Sequence, residues 1–224
     1  MFSGMLEVNP KSDQLDIYFG MARMLRPELE KIDGFVDNDR YSSLTRPGWL
    51  LSLSSWRDEK ALVRWSIEAH HHKVMQAARD RVFADYRMHI GELVADTHLP
   101  AGHTLVQQRL DATEAGIGKA ITLLNAKRDP EWVRQSGGEA VAKSLGFDPD
   151  TADVVSWDVF DAVAEPGDVI ALVKWGDLTR AEAFRRGGTP PEDVRLRNIR
   201  VIRDYGMFDR REAPQYFAEV HPQV

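Results

Sequence analysis

The feature that most constrains this chain is an internal repeat. Residues 47–58 read PGWLLSLSSWRD and residues 166–177 read PGDVIALVKWGD, an offset of 119 residues (166 − 47). Both segments follow the pattern P-G-x-x-[LI]-x-L-x-x-W-x-D. At the same offset Trp65 matches Phe184, and the Asp-Tyr-x-Met sequence that begins at Asp85 recurs. Three matches at one offset predict two tandem copies of one fold.

Hydrophobic periodicity gives the order of elements within each copy. Strand-like and helix-like patterns of the first copy lie at 5–9, 13–32, 34–44, 49–55, 57–82 and 83–93. The order is strand, helix, strand, strand, helix, strand, which is the ferredoxin-like arrangement. For the second copy the pattern predicts strands at 104–110, 154–163, 169–174 and 198–205, helices at 113–125 and 178–185, and an extra helical stretch at 130–145.

A four-stranded sheet with both helices on one face leaves its other apolar face open to solvent. Two such sheets packed face to face bury those faces. The sequence therefore predicts an α+β fold in which residues 1–97 and 98–224 are two ferredoxin-like domains whose sheets pack face to face within a single chain. The connection is expected near residues 96–102, where Pro100 and Gly102 interrupt the pattern. Pairing of whole chains as a homodimer, through the outer helices or residues 208–224, is left open.

Composition excludes several classes of function. The 224-residue chain carries 29 Lys and Arg against 35 Asp and Glu, a net charge of −6, so it has no positive field to attract nucleic acid. The absence of cysteine excludes disulfides and thiolate chemistry. No apolar run approaches the roughly 18 residues needed to cross a bilayer, and the first residues lack the basic and apolar regions of a secretory signal. We expect a cytoplasmic protein with no nucleic-acid or membrane partner.

The first copy resembles a known protein family. Residues 4–94 contain YFGMARMLRPELEKIDGF, RPGWLLSLSSWRDEKALVRW and FADYRMHI, which resemble the antibiotic biosynthesis monooxygenase family. The Gly34-Phe35 pair, the Ser-x-Trp strand end, Trp65 and the Asp85-Tyr86 pair follow the order of that family, whereas the second copy looks degenerate. The resemblance implies a dimeric α/β barrel. Members include cofactor-free oxygenases, haem-degrading enzymes and autoinducer-modifying proteins, so the fold does not fix the reaction.

Trp65 is the first candidate for a functional site. It lies on a helix that is expected to cover the sheet, where its indole would form a wall for a flat ligand. In the haem-degrading members that the chain resembles, a tryptophan so placed presses on the porphyrin. The alternative interpretation is that Trp65 belongs to the core, as large apolar side chains on a helical face usually do.

The three consecutive histidines His70, His71 and His72 are the most unusual stretch. Neighbouring residues on a helix point about 100° apart, so the three cannot chelate one ion and no metal site is predicted. A single imidazole can act as a base near neutral pH. The resemblance implies that His71 is this residue, and we expect His72 beside it to contact the substrate. The alternative is a solvated helix junction without a catalytic role.

The remaining candidates are substrate contacts. Leu53 and Phe83 would complete a dry apolar pocket with Trp65. The resemblance implies that Asn9 lines the pocket, as an asparagine on the first strand does in haem-degrading members. Ser52 stands where cofactor-free oxygenases of the family have an asparagine that contacts the substrate.

Two further polar side chains, Arg79 and Tyr86, belong to the same candidate set. Tyr86 recurs as Tyr205 in the second copy, which favours a structural role. Arg79 is expected in a surface ion pair.

Three functions are predicted as alternatives. The first is a cofactor-independent monooxygenase that uses molecular oxygen on an electron-rich aromatic or polyketide-like small molecule, with His71 removing a proton. No glycine-rich loop for a flavin or dinucleotide is present. The second is a haem-binding and haem-degrading monooxygenase that uses Asn9, Trp65 and the histidines. The third is a non-catalytic small-molecule-binding protein in which the second copy only completes the barrel.

Overall fold

A computed structural model describes residues 1–99, 104–188 and 190–220. The first repeat consists of β1 (Phe2–Pro10), α1 (Leu15–Leu29), β2 (Phe35–Ser43), β3 (Leu50–Trp56), α2 (Glu59–Ser66), α3 (Ala69–Ala77), a π-helical turn (Ala78–Val82) and β4 (Phe83–Asp96). The second repeat consists of β5 (Ala120–Lys127), α4 (Pro130–Gln135), α5 (Gly138–Ser144), β6 (Val154–Ala162), β7 (Asp168–Trp175), α6 (Leu178–Gly187) and β8 (Arg195–Gly206).

The eight strands close into one antiparallel barrel in the order β1-β3-β2-β6-β7-β5-β8-β4. Within this order the two repeats have the same arrangement, β4-β1-β3-β2 in the first and β8-β5-β7-β6 in the second. Pairing of β2 with β6 and of β4 with β8 joins the two sheets. The predicted fold, two ferredoxin-like repeats closed into a barrel within one chain, is confirmed.

The repeated motif places the same structural devices in both copies. Gly48 and Gly167 have φ angles of 82° and 93°, in the left-handed region that glycine adopts without strain, and they turn the chain into β3 and β7. The final aspartates of the motif, Asp58 and Asp177, cap α2 and α6. Each accepts a hydrogen bond from a backbone N–H three residues on, at 2.8 and 2.9 Å.

Apolar side chains fill separate layers on the two faces of the sheets. The barrel interior is lined by alternate strand residues that include Met5, Leu51, Leu53, Leu123, Leu172 and Val201. The outer faces pack beneath the helices, around Trp56 and Leu62 in the first repeat and around Trp175 and Phe147 in the second.

The prediction for the start of the second repeat is wrong. Residues 104–119 form neither strand nor helix, and β5 (Ala120–Lys127) occupies the last six residues of the predicted helix at 113–125. The run AITLL is buried throughout, so this strand lacks the polar alternation that distinguishes a half-buried strand from a helix. Helices α4 and α5 therefore take the place of α1 and are not an extra element.

The strand register also shows that the last sequence match is coincidental. Gly91 pairs with Val201 and Leu93 pairs with Ile199. A pseudo-twofold axis between the two strands makes Gly91 the counterpart of Ile199 and Leu93 the counterpart of Val201. Both correspondences have an offset of 108 residues (199 − 91 and 201 − 93), not 119. The first repeat carries α3 and the π-helical turn before its last strand, and the second repeat has no equivalent among the described residues.

Tyr86 and Tyr205 are consequently not counterparts. Instead β4 and β8 lie side by side, and Tyr205 pairs with Met88. The prediction that the repeat preserves this tyrosine is wrong.

The division of the chain at residues 97 and 98 stays a prediction. It falls directly after β4, and Pro100 and Gly102 lie outside the described residues. In the part of the chain that the structure describes, no helix has the length and apolar character needed to span a membrane.

Candidate functional site

A cavity lies between the outer face of the first repeat's sheet and the helices α1, α2 and α3. Its volume is about 130 Å³. Most of its lining is apolar and includes Leu6, Leu25, Leu62, Val74, Met75 and Phe83. Its polar lining includes Arg40, Ser52, His71, Tyr86, Tyr205 and Gln215.

The floor of the cavity is one row of paired strand residues. Arg40 of β2, Ser52 of β3, Leu6 of β1, Met88 of β4 and Tyr205 of β8 pair successively across five strands. Residues paired in one row point to the same face of a sheet, so all five side chains face the helices. Neighbouring strands are roughly 4.8 Å apart, which makes the row about 19 Å long. Its last residue belongs to the second repeat.

Trp65 and His71 meet above this floor, at the junction of α2 and α3. Their ring centroids are 4.2 Å apart and their planes are inclined by 26°. The Glu68 carboxylate fixes the junction, because it caps α3 by accepting a hydrogen bond from the His71 backbone N–H at 2.7 Å. Both rings line the cavity, so the structure brings together the two residues that the sequence singled out for catalysis.

His71 is neutral at physiological pH. Burial lowers its pKa to about 4, and the backbone carbonyls of Ser66 and Trp65 offset only part of that effect. Its Nδ1 atom is buried and has no hydrogen-bond partner among the described residues. A neutral imidazole can accept a proton, and His71 lines the cavity in this form.

Asn38 holds Ser52 in place, a contact that the sequence did not reveal. The Asn38 amide nitrogen donates to the Ser52 hydroxyl at 3.0 Å and to the Leu53 carbonyl at 3.1 Å. The cavity therefore does contain an asparagine beside Ser52, but β2 supplies it rather than β3.

Arg40 is the cation that sequence reasoning missed. It lines the cavity, and its Nε is buried without a hydrogen-bond partner. Within the described ranges no carboxylate lies within the 4.0 Å of an ion pair with Arg40. Burial raises the pKa of Tyr18, and the nearby Arg40 guanidinium opposes this rise. Alternation along β2 puts Arg40 on the same face as Asn38, and that was the signal available in the sequence.

Two arginines bind the Tyr86 hydroxyl at the other end of the floor. Arg79 donates to it at 2.7 Å and Arg210 at 2.5 Å. Arg79 is only 2% exposed, so the expected surface ion pair is wrong. The π-helical turn directs this side chain inward, where it supports Tyr86 without lining the cavity itself.

Three predicted substrate contacts besides Arg79 lie outside the cavity. Leu53 points into the barrel interior, because β3 alternates and Ser52 takes the face toward the helices. His72 stacks on Phe217, with ring centroids 4.5 Å apart. Asn9 lies near the end of β1 and does not line the cavity. Phe83 and Tyr86 do line it, together with Ser52.

The second repeat fills the corresponding space with side chains. Phe184, the counterpart of Trp65, packs against Trp175 and Phe147 at centroid distances of 5.3 and 6.1 Å. These rings belong to one buried cluster. The packing interpretation therefore holds for Phe184, whereas Trp65 borders a cavity.

Comparison with known proteins gives one relative along almost the whole chain. No protein-family model matches. The curated protein jasmonate monooxygenase ABM from Pyricularia oryzae is 40% identical over 222 residues, which cover 97% of this chain and 98% of that protein. A solved antibiotic biosynthesis monooxygenase is 17% identical with a TM-score of 0.38, covering 42% of this chain and 100% of its own. A solved aldoxime dehydratase in complex with butyraldoxime is 15% identical with a TM-score of 0.49, covering 90% of this chain and 79% of its own.

Proposed function

Since the chain belongs to the antibiotic biosynthesis monooxygenase family, we propose that it oxidises a small, mostly apolar carboxylic acid in the cavity of the first repeat. A monooxygenase takes a small organic substrate and molecular oxygen as its partners. The relative at 40% identity is named for jasmonate, which is a small acid. The observation that carries the proposal for this chain is Arg40 in a mostly apolar cavity, with no carboxylate partner and a buried, unbonded Nε within the described residues.

A carboxylate complements Arg40 in charge and geometry. The guanidinium offers several N–H donors in a planar fork that matches the two oxygens of a carboxylate. The buried Nε of Arg40 has no hydrogen-bond partner among the described residues, so an anionic group of the substrate would satisfy a donor that the protein leaves open. The Ser52 hydroxyl is the next side chain along the floor and adds a second polar contact.

The size of the cavity limits the substrate to a small molecule. Cavities of about 150 Å³ hold a benzene-sized ligand, and this one measures about 130 Å³. Met21, Met75 and Met88 line it, and their unbranched side chains can shift to enlarge it. Trp65 and Phe83 supply flat apolar walls, which favour a ring in the substrate.

The residues present support oxidation without a cofactor. His71 in its neutral form would take a proton from a methylene group that a neighbouring carbonyl or electron-rich ring activates. The resulting carbanion forms a C–O bond with oxygen. Loss of the second hydrogen with cleavage of the O–O bond then gives a ketone and water, so the substrate supplies all of the electrons. The apolar walls exclude bulk water from this intermediate.

Haem fits the cavity poorly. A porphyrin is far larger than the benzene-sized molecule that a space of about 130 Å³ accommodates. The His71 ring is also stacked on Trp65 at 4.2 Å, which occupies the face where a porphyrin would press on the indole. We therefore derive no step through haem.

Oxygen consumption with mass analysis tests the proposal. The purified full-length protein is incubated with jasmonic acid, its methyl ester and an anthrone-like phenol, in air and without oxygen. We expect oxygen-dependent conversion of a free acid to a product that carries one atom of isotopically labelled oxygen. Turnover of the ester should be weaker. Binding of the acids without any turnover would instead support the non-catalytic binding protein.

A further inference from the structure

Residues 208–220 follow β8 of the second repeat and lie against the site of the first repeat. The Phe217 side chain is 5% exposed, and its ring stacks on that of His72 with planes inclined by 15°. Val220 packs against the apolar cluster that contains Val8 and Phe83. The segment therefore crosses from one repeat to the other and contacts α3 and the cavity wall.

Two arginines fix this segment relative to the cavity. Arg210 donates to the Gln215 carbonyl at 2.9 Å and to the Tyr86 hydroxyl at 2.5 Å. Arg79 donates to the same hydroxyl at 2.7 Å and to the Ala218 carbonyl at 3.4 Å. Because the same guanidinium groups bind both the segment and Tyr86, the position of Gln215 is tied to the cavity wall.

Gln215 lines the cavity and carries an unsatisfied acceptor. Its Oε1 atom is buried with no hydrogen-bond partner within residues 1–99, 104–188 and 190–220. The next residue, Tyr216, is 85% exposed. A buried amide oxygen without a donor is destabilising, and its presence in a cavity points to a donor supplied by a bound molecule.

We propose that Gln215 is a substrate-binding residue whose amide oxygen accepts a hydrogen bond from a hydroxyl group of the bound acid. The second repeat then contributes a contact to a site that the first repeat otherwise builds. This inference rests on the function proposed above for the acid group. It adds that the substrate itself carries a hydroxyl group distant from its carboxylate.

The fold places Gln215 and Arg40 toward opposite ends of the floor. Arg40 begins the row of paired residues on β2, and Tyr205 ends it on β8. Arg40 and Gln215 line the same cavity of about 130 Å³, so a bound molecule spans the gap between the two side chains and not the full length of the row. Arg210, which binds the Gln215 carbonyl, has its guanidinium carbon 5.4 Å from the centroid of the Tyr205 ring. An extended ligand with its carboxylate at Arg40 therefore directs its far end toward Gln215.

A matched pair of ligands tests this hydrogen bond directly. Phenylbutanoic acid and its para-hydroxy derivative differ only by a hydroxyl group at the end away from the carboxylate. Calorimetry with the full-length protein should give a Kd for the hydroxylated acid about two- to tenfold lower than for the parent acid.

Variants of residues 215 and 216 isolate the contact. Gln215→Leu should abolish the preference for the hydroxylated acid and leave the affinity for the parent acid nearly unchanged. Gln215→Glu keeps an acceptor oxygen and should retain the preference. Tyr216→Leu is the matched control on the exposed neighbour and should behave as the wild type.

Each outcome separates this contact from the proposed reaction. Equal affinities of the wild type for the two acids, or a preference that survives in Gln215→Leu, would overturn the role of Gln215. A Gln215-dependent preference without oxygen consumption would support the contact and contradict the oxidation. Binding of neither acid by the wild type would overturn both the Gln215 contact and the Arg40 anchor, whatever oxygen consumption is measured with other substrates.

Discussion

The imidazole of His71 lies against the indole of Trp65, with ring centroids 4.2 Å apart. One face of each ring is covered by the other ring, so a ligand can contact only the ring edges and the two uncovered faces. The same packing removes His71 from water and keeps it neutral. The wall of the cavity and its candidate base are thus one structural unit.

The role of His71 as a base predicts an unusual pH profile. Its pKa is lowered to about 4 by burial, so the neutral, proton-accepting form persists well below pH 6.5. We expect kcat/KM to stay level on the acid side until about pH 4 and then to fall as the ring becomes protonated. His71→Ala should reduce kcat by a factor on the order of 10²–10⁴.

His70→Ala is the control for this prediction. His70 pairs with Glu28 at 2.8 Å and does not line the cavity, so its loss should leave kcat unchanged. An acid limb near pH 6.5 in the wild type, or full activity of His71→Ala, would contradict the proposed base.

Trp65→Ala should affect both binding and the titration of His71. Removal of the indole takes away a wall of the cavity, and the Kd of a ring-containing acid should rise roughly tenfold. Water admitted to the junction should also raise the pKa of His71 toward its ordinary value near 6.5, which an NMR titration of the imidazole would detect. Trp132→Ala, on the partly exposed α4 of the second repeat, should change neither quantity.

Arg40→Leu should weaken binding of acids selectively. Loss of a charge-assisted contact should raise the Kd of a free carboxylic acid on the order of 10- to 100-fold. The methyl ester of the same acid should be nearly unaffected. Arg23→Leu makes the same change of charge on an exposed residue of α1 and serves as the control. Equal weakening of acid and ester would show that Arg40 acts through packing and not through charge.

The sequence predicted the barrel because the turn and capping residues that specify it are local in sequence and repeated. The glycine that needs a positive φ and the aspartate that caps the next helix recur together, as Gly48 with Asp58 and as Gly167 with Asp177. Each can be recognised from a few adjacent residues. The start of the second repeat could not be recognised in this way, because β5 is buried on both faces and shows no period of two.

The site was only partly predictable for a related reason. Trp65 and His71 are six positions apart, and their stacking depends on a single helix junction. Arg40 and Gln215 reach the cavity from β2 and from the segment after β8, so their meeting depends on the whole barrel. Strand alternation could have placed Arg40 on the helix face, but no local pattern in the sequence leads to Gln215.

The β4–β8 junction depends on a buried ion pair between Glu92 and Arg200. Glu92 is fully buried, and its carboxylate lies 2.8 Å from Arg200. We expect Glu92→Gln to leave the arginine without its charged partner and to lower the free energy of unfolding by roughly 3–5 kcal/mol. Glu165→Gln removes the exposed pair with Lys127 and should cost about 1 kcal/mol or less. Urea denaturation of both variants measures the difference, and equal stabilities would show that the buried pair does not hold the junction.

Separation of the repeats tests the intrachain barrel itself. Residues 1–98 alone lose the pairing of β2 with β6 and of β4 with β8, and they expose an apolar sheet face that includes Met5, Leu51 and Leu53. Open strand edges beside an apolar face drive association. We therefore expect the fragment to aggregate or dimerise in size exclusion with light scattering, whereas coexpression with residues 99–224 should restore a soluble one-to-one complex. A well-folded monomer of the fragment would mean that the first repeat does not need the second to cover its sheet.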